Sequence, residues 1–176
     1  MHNITTRYLA RAAVIAALYV ALTYLAGLMN LAYGPVQFRF SEALTGLPFL
    51  FPEAIPGLFV GCIVSNLLSP YGALDLVIGS AATLLAAIWT AKCRSRFLAP
   101  LPPTLCNAVL VGAMIAWYEA GFGAGFAPAF AYNALTVGLG EAIVCYALGL
   151  PLLKILGRRV APERVSRAHA KYDPEL

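Results

Sequence analysis

The chain alternates long apolar runs with short polar or proline-rich breaks, which is the pattern of a protein that crosses a membrane several times. A spanning helix needs about 20 mostly apolar residues. The pattern predicts helices at residues 7–29, 54–68, 73–91, 104–120 and 127–156, and a shorter apolar piece at 43–51. Prolines flank this shorter piece, so it completes a sixth crossing only if it tilts or is shielded by the rest of the protein.

Turn-forming residues separate the runs. Ser69–Gly72 predicts a turn, the prolines at positions 100, 102 and 103 predict a stiff connection, and Gly121–Gly125 predicts a flexible loop. We therefore expect one all-α membrane domain of six transmembrane helices at residues 1–157. A polar cytoplasmic tail is expected at residues 158–176.

Composition supports the membrane assignment. Of the 176 residues, 61% are hydrophobic and 11% are charged, whereas a soluble domain has about 25% charged residues. The net charge of +4 does not indicate nucleic-acid binding, because the basic residues cluster at the ends of the apolar runs. We expect no cleaved signal peptide, since the first apolar run is too long and no clear cleavage site follows it.

The basic residues also predict the topology. Eleven of the 12 lysines and arginines lie before Ala12, between Lys92 and Arg96, or from Lys154 onward. With six crossings, all these groups fall on one side of the membrane, which is the cytoplasmic side by the positive-inside rule. The expected protein therefore lies in the cell membrane with both termini in the cytoplasm.

Five carboxylates lie within the body of this apolar chain, and one arginine, Arg39, accompanies them. The carboxylates are Glu42, Glu53, Asp75, Glu119 and Glu141. A charged group at membrane depth is costly, so it usually faces a partner or a cavity. Glu53 follows Pro52 and is interpreted as a charge at a helix N-terminus. Arg39 and Glu42 either take part in a ligand site or form a structural ion pair that holds the outer loop.

The predicted topology gathers polar and aromatic side chains in the outer half of the protein. They are Gln37, Arg39, Glu42, Asn66, Asp75, Trp117, Tyr118, Glu119, Tyr132 and Asn133. Aromatic walls with a few fixed polar groups suit a planar polar heterocycle, and carboxylates suit an amidine-like N–H edge or an ammonium group. The aromatic residues are alternatively an interfacial belt. Because basic residues are so few here, an anionic ligand is disfavoured.

Glu141 lies deeper than the rest of this set. It follows Asn133 by eight residues, which places it about 12 Å further along the last helix. No basic residue is near it in the sequence. It is therefore either the floor of the ligand pocket or part of a hydrogen bond between helices.

Cysteine and histidine give no sign of metal or redox chemistry. The four cysteines show no CxxC spacing and are interpreted as free thiols. His2 and His169 lie at the termini, which excludes a buried histidine site. An enzyme that uses paired carboxylates is disfavoured for the same reason, and no cofactor or metal is expected.

The first predicted helix carries small residues four positions apart. The pairs are Ala12/Ala16, Ala13/Ala17 and Ala17/Ala21. Such a stripe lets another helix approach closely. It serves either packing within this chain or docking to a partner.

Four stretches carry a resemblance to a known family: Tyr33–Leu44, Glu53–Cys62, Leu74–Ser80 and Asn133–Val144. Together they resemble the substrate-binding (S) components of energy-coupling factor (ECF) transporters. Within that group the chain is most similar to the QueT family of queuosine-precursor importers. The resemblance covers residues 8–157.

This resemblance implies a six-helix S component whose ligand pocket lies near the outer face, roofed by the loop after the first helix. The implied ligand is a 7-deazaguanine such as preQ1 or preQ0, or the related base queuine; another small vitamin-like ligand is the alternative. The implied partners are two ATPase subunits and a transmembrane coupling subunit that docks on the first helix. The matching docking positions are Ala12, Ala13, Ala16 and Ala17. Consistently, the chain has no glycine-rich phosphate-binding loop of its own.

Overall fold

The computed structural model describes residues 6–32 and 36–158, and every regular element within those residues is helical. Five long helices follow one another: α1 Thr6–Leu28, α2 Ala54–Asn66, α3 Asp75–Ala91, α4 Leu101–Ala120 and α5 Phe126–Arg158. Two short 3-10 helices, Phe40–Leu44 and Leu47–Phe49, lie between α1 and α2. The predicted all-α class is confirmed. Residues 33–35 and 159–176, which include most of the predicted tail, lie outside the described part.

Three of the helices, α1, α4 and α5, are long and apolar enough to cross a membrane, whereas α2 and α3 are apolar but shorter. Large apolar side chains on their outer faces, such as Leu139 and Ile143 on α5, are exposed. An extended exposed apolar surface marks contact with a partner or with lipid. The chain is a multi-pass membrane protein.

The start of α4 differs from the sequence prediction, which placed a stiff connection before residue 104. The helix already begins at Leu101, and Pro102 and Pro103 lie in its first turn. Proline fits there because the first backbone N–H groups of a helix have no partner within the helix.

The short apolar piece predicted at residues 43–51 lies inside the protein, as part of a connecting segment that we define as residues 36–53. The eight residues Ser41–Pro48 are all buried. Leu44 packs in the hydrophobic core beside Tyr19. The helices around the connecting segment thus supply the shielding that irregular backbone needs at membrane depth.

α1 and α2 pack closely because α2 presents glycine at their contact. A Cβ atom at Gly57 would lie 2.6 Å from the Ala12 carbonyl oxygen, and the close approach continues one turn further on at Ala16. Ala12 and Ala16 therefore belong to a contact within the chain. Ala13 and Ala17, on the neighbouring stripe, are exposed.

Candidate functional site

Buried polar residues form a cluster where the connecting segment meets the helices. We call the following set the inner cluster: Gln37, Arg39, Asn66, Asp75, Asn107 and Glu141. Each of these residues is at most 7% exposed. Polar groups at this depth are stable only when they are paired, and ionisable groups inside a membrane protein usually mark a functional site. The inner cluster is therefore the candidate binding site.

Arg39 is the positively charged centre of the inner cluster. Its Nη2 donates to Asp75 Oδ2 at 3.0 Å, and its Nη1 donates to Asn66 Oδ1 at 3.4 Å. Its Nε donates to the Ala32 carbonyl at 3.3 Å. Asn66 ends α2 and Asp75 begins α3, so the turn between these helices brings both partners to Arg39. From the sequence, Glu42 was the possible ion-pair partner of Arg39. In the structure, Arg39 forms its ion pair with Asp75.

Glu42 lies beside the inner cluster and contacts α1. The Tyr19 hydroxyl donates to Glu42 Oε1, while Glu42 Oε2 has no hydrogen-bond partner among the described residues. One turn further along α1, the Thr23 hydroxyl donates to Ser41 Oγ at 2.8 Å. These two hydrogen bonds hold the connecting segment against α1.

Asn107 and Glu141 join α4 to α5. Asn107 Nδ2 donates to Glu141 Oε1, and the thiol of Cys145 lies 3.8 Å from Glu141 Oε2. The interhelical hydrogen bond that the sequence left open for Glu141 is therefore present. It does not exclude the other alternative, because both residues also line a cavity.

That cavity has a volume of about 10 Å³. Its walls are Gln37, Arg39, Asn107, Val111, Val137 and Glu141. Gln37 Nε2 has no hydrogen-bond partner within residues 6–32 and 36–158. The backbone of Gln37 lies directly on Gly140 of α5, where any Cβ atom would collide with the Gln37 carbonyl. Glycine at position 140 thus lets the connecting segment reach the cavity.

Three helices widen locally where they meet this region. Turns of π-helix cover Asp75–Gly79, Asn107–Val111 and Cys145–Gly149. The first two begin at residues of the inner cluster, and the third begins at the cysteine beside Glu141. Such turns occur frequently at functional sites, which agrees with a binding role for the inner cluster.

The remaining predicted site residues lie outside the inner cluster, near the ends of α4 and α5 that the Gly121–Gly125 loop joins. We call them the outer patch: Trp117, Tyr118, Glu119, Tyr132 and Asn133. The three aromatic side chains are 40%, 57% and 58% exposed. Buried Asn133 donates from Nδ2 to Glu119 Oε2 at 2.8 Å. The residues that the sequence predicted to share one pocket thus lie in two groups, and the exposed rings fit the interfacial belt that was the alternative.

Tyr71, in the turn between α2 and α3, lies near both groups. Its ring meets that of Tyr118 edge-on, with the ring centroids 5.3 Å apart. Partial burial raises the pKa of Tyr71, and the nearby carboxylates of Glu119 and Asp75 raise it further. The Tyr71 hydroxyl is therefore harder to deprotonate than that of an ordinary tyrosine.

Sequence reasoning missed Tyr19, Tyr71 and Asn107. Asn107 gave a usable signal, because it is the single amide side chain in α4 and lies well inside the apolar run. The two tyrosines gave none, since aromatic residues are common in membrane segments and at their ends.

Glu53 lies apart from the inner cluster, near the start of α1. It directly precedes α2, which is the N-terminal position that the sequence predicted. Its Oε1 also accepts from Arg11 Nη1 at 2.8 Å. This ion pair ties α1 to the end of the connecting segment.

Comparisons with known proteins identify the family. The family model described as QueT transporter matches residues 9–158. The chain belongs to the QueT transporter family. A curated relative, the queuosine precursor transporter QueT of Lactococcus lactis subsp. cremoris (strain MG1363), is 43% identical over 72 residues. That alignment covers 41% of this chain and 42% of the relative, and no solved structure matches.

The region that matches the QueT family contains the whole inner cluster and the whole outer patch.

Proposed function

We propose that this chain is the substrate-binding component of an ECF-type importer and that its inner cluster binds a queuosine precursor, a 7-deazaguanine such as preQ1 or preQ0. Family membership and the name of the Lactococcus relative support this substrate class. The observation that carries the proposal is the buried cavity, whose wall combines a carboxylate, two amides and a guanidinium. These groups complement the N–H donors and the carbonyl of a deazaguanine.

The cavity is closed in this conformation. Its volume of about 10 Å³ is room for roughly one water molecule, whereas small-molecule pockets measure about 300–1,000 Å³. The walls must therefore separate when a ligand enters.

In our proposal the connecting segment moves and α4 and α5 stay together. A Cβ atom at Gly112 of α4 would lie 2.8 Å from the backbone of Ala134 of α5, so these two helices are in close main-chain contact. The connecting segment, by contrast, contains only short 3-10 helices. Apart from the main-chain contact of Gln37 with Gly140, it is held by individual side-chain bonds such as that from Thr23 to Ser41.

The proposed topology has six crossings, with the connecting segment as a shielded second crossing and both termini in the cytoplasm. Arg11, near the start of α1, and Leu156, near the end of α5, line the same groove, so the basic ends of these helices lie together. In a variant without native cysteines, a membrane-impermeant thiol reagent should label Gly123→Cys in intact cells and should not label Ser95→Cys. The reverse result would mean that the topology is inverted.

The exposed stripe of α1, Ala13 and Ala17, is the proposed docking surface for the transmembrane coupling subunit, which acts with two ATPase subunits. Small exposed residues let a second helix approach closely, whereas Ala12 and Ala16 are already in contact with α2. Replacing Ala13 and Ala17 with Trp should abolish co-purification with the coupling subunit and leave ligand binding intact. Trp at the exposed position Ala81 of α3 is the matched control. Loss of ligand binding in the double variant would instead assign the stripe to internal packing.

The direct test of the substrate is a titration of the purified protein with preQ1, preQ0, queuine and guanine. We expect at least one deazaguanine to bind with a Kd below about 10 µM, which corresponds to roughly −7 kcal/mol. A panel of vitamins serves as the comparison. If the protein binds a vitamin tightly and binds no deazaguanine, its substrate belongs to another class.

A further inference from the structure

Asn107 occupies a position that the family assignment does not explain. It lies inside the apolar run of α4, is 6% exposed, and begins the π-helical turn Asn107–Val111. That turn brings Asn107 and Val111 to the wall of the same cavity. An amide at this depth is costly without partners, so its place in the cavity wall calls for a role.

A hydrogen bond fixes the orientation of the Asn107 amide. Its Nδ2 donates to Glu141 Oε1, so the amide oxygen points away from that atom. Asn107 holds Glu141 in place and retains an acceptor of its own. Together the two residues present adjacent acceptors.

Gln37, which lines the same cavity, offers a donor. Gln37 is 5% exposed, and its Nε2 has no hydrogen-bond partner among the described residues. A buried unsatisfied donor costs free energy unless a ligand or water completes it. Arg39 also lines the cavity, but its Nη1 and Nη2 already donate to Asn66 and Asp75. Gln37 is therefore the side chain that is available to meet a ligand carbonyl.

We propose that Asn107 is a specificity-determining residue that, with Glu141, accepts hydrogen bonds from the exocyclic amino group and ring N–H of the ligand, while Gln37 donates to the neighbouring carbonyl. This inference rests on the proposed function, because it assigns neighbouring groups on one edge of a 7-deazaguanine to different residues of the cavity wall. It predicts that the amino group and the carbonyl are recognised independently by different side chains.

The test measures the Kd of three probes for the purified protein. 7-Deazaguanine carries both groups, 7-deazahypoxanthine lacks the exocyclic amino group, and 6-thio-7-deazaguanine keeps the amino group and the ring N–H but replaces the carbonyl oxygen with sulfur, a much weaker hydrogen-bond acceptor. Wild-type protein should bind 7-deazaguanine about 10- to 100-fold more tightly than either analogue, the range expected for losing hydrogen bonds to buried polar partners. In Asn107→Leu, the Kd for the analogue without the amino group should be less than about threefold above that for 7-deazaguanine. The preference for the carbonyl should remain as in the wild-type protein. Gln37→Leu should do the reverse.

Thr104→Val is the matched control, since the Thr104 hydroxyl donates to the Pro100 carbonyl of its own helix, outside the cavity. This variant should keep both discriminations. If Asn107→Leu loses the preference for the amino group and the preference for the carbonyl equally, or changes neither, the inference is overturned. The proposed function still stands in that case, provided that the wild-type protein binds 7-deazaguanine. If Asn107→Leu does not fold, Gln37→Leu alone decides, because unchanged carbonyl discrimination would overturn the assignment. Wild-type protein that binds none of the probes would overturn the proposed function itself.

Discussion

Two asparagine–glutamate pairs join α4 to α5, and they lie in opposite environments. In the inner cluster, Asn107 donates to Glu141, which is 5% exposed; in the outer patch, Asn133 donates to Glu119, which is exposed. Water solvates the outer carboxylate whether or not it is paired, whereas the inner carboxylate depends on its protein partners. Burial, rather than residue type, therefore separates the candidate binding site from the surface.

The largest expected difference between the two regions concerns stability. Asp75→Ala leaves the buried Arg39 guanidinium without its carboxylate and should reduce the free energy of unfolding by about 3–5 kcal/mol. Glu119→Ala removes an exposed carboxylate and should cost less than about 1 kcal/mol. Thermal unfolding of both variants in detergent measures the difference. Similar losses would mean that burial does not distinguish the two regions.

Ligand affinity should separate the two carboxylates of the asparagine–glutamate pairs. Glu141→Gln keeps the size of the side chain but replaces one acceptor oxygen with an amide donor, so affinity for a deazaguanine should fall about 10- to 100-fold. The equivalent change in the outer patch, Glu119→Gln, should alter the Kd by less than about threefold. Isothermal titration of both proteins gives the comparison. A larger effect of Glu119→Gln would relocate the ligand to the outer patch.

The contact between Gln37 and Gly140 offers a smaller and more local test. Gly140→Ala introduces a Cβ where the Gln37 carbonyl lies, so the connecting segment must shift and affinity should fall about 3- to 10-fold. Gly123→Ala, in the open loop between α4 and α5, is the control, because its nearest neighbour lies 3.8 Å away. Unchanged affinity in Gly140→Ala would show that the position of Gln37 does not matter for binding.

The smallest expected effect is that of the outer aromatic rings. Tyr118→Phe leaves the ring in contact with Tyr71 and removes only an exposed hydroxyl, so we expect less than about a twofold change in Kd. Equilibrium binding followed by intrinsic fluorescence would measure it. A change above tenfold would restore the aromatic residues to the ligand site.

The sequence predicted the helices well because apolar runs bounded by proline, glycine and charge mark where apolar helices begin and end. The predicted runs at 54–68 and 73–91 correspond to α2 and α3 with ends shifted by two residues or fewer. The start of α4 was missed because proline both interrupts helices and begins them, and position alone decides which. The two 3-10 helices, Phe40–Leu44 and Leu47–Phe49, also had no signal in the apolar pattern.

The candidate site was only partly predictable. Gln37, Arg39, Asn66, Asp75 and Glu141 were singled out because polar residues are rare in this apolar chain and costly at membrane depth, and their role in binding stays a prediction. The ion pair of Arg39 with Asp75 could not be predicted from the sequence, because it depends on how distant segments pack. The outer patch was joined to the inner cluster since hydropathy gives depth along a helix but not the direction in which a side chain points. The π-helical turns have no periodicity signal that would place them.

The most direct measurement is a structure of the protein with a bound deazaguanine. We expect the connecting segment to be displaced in that structure. The ring system of the ligand should lie within hydrogen-bond distance of Asn107 and Glu141, and its carbonyl should lie beside Gln37. A ligand bound among Trp117, Tyr118 and Tyr132, with the inner cluster still closed around Arg39, would contradict this expectation.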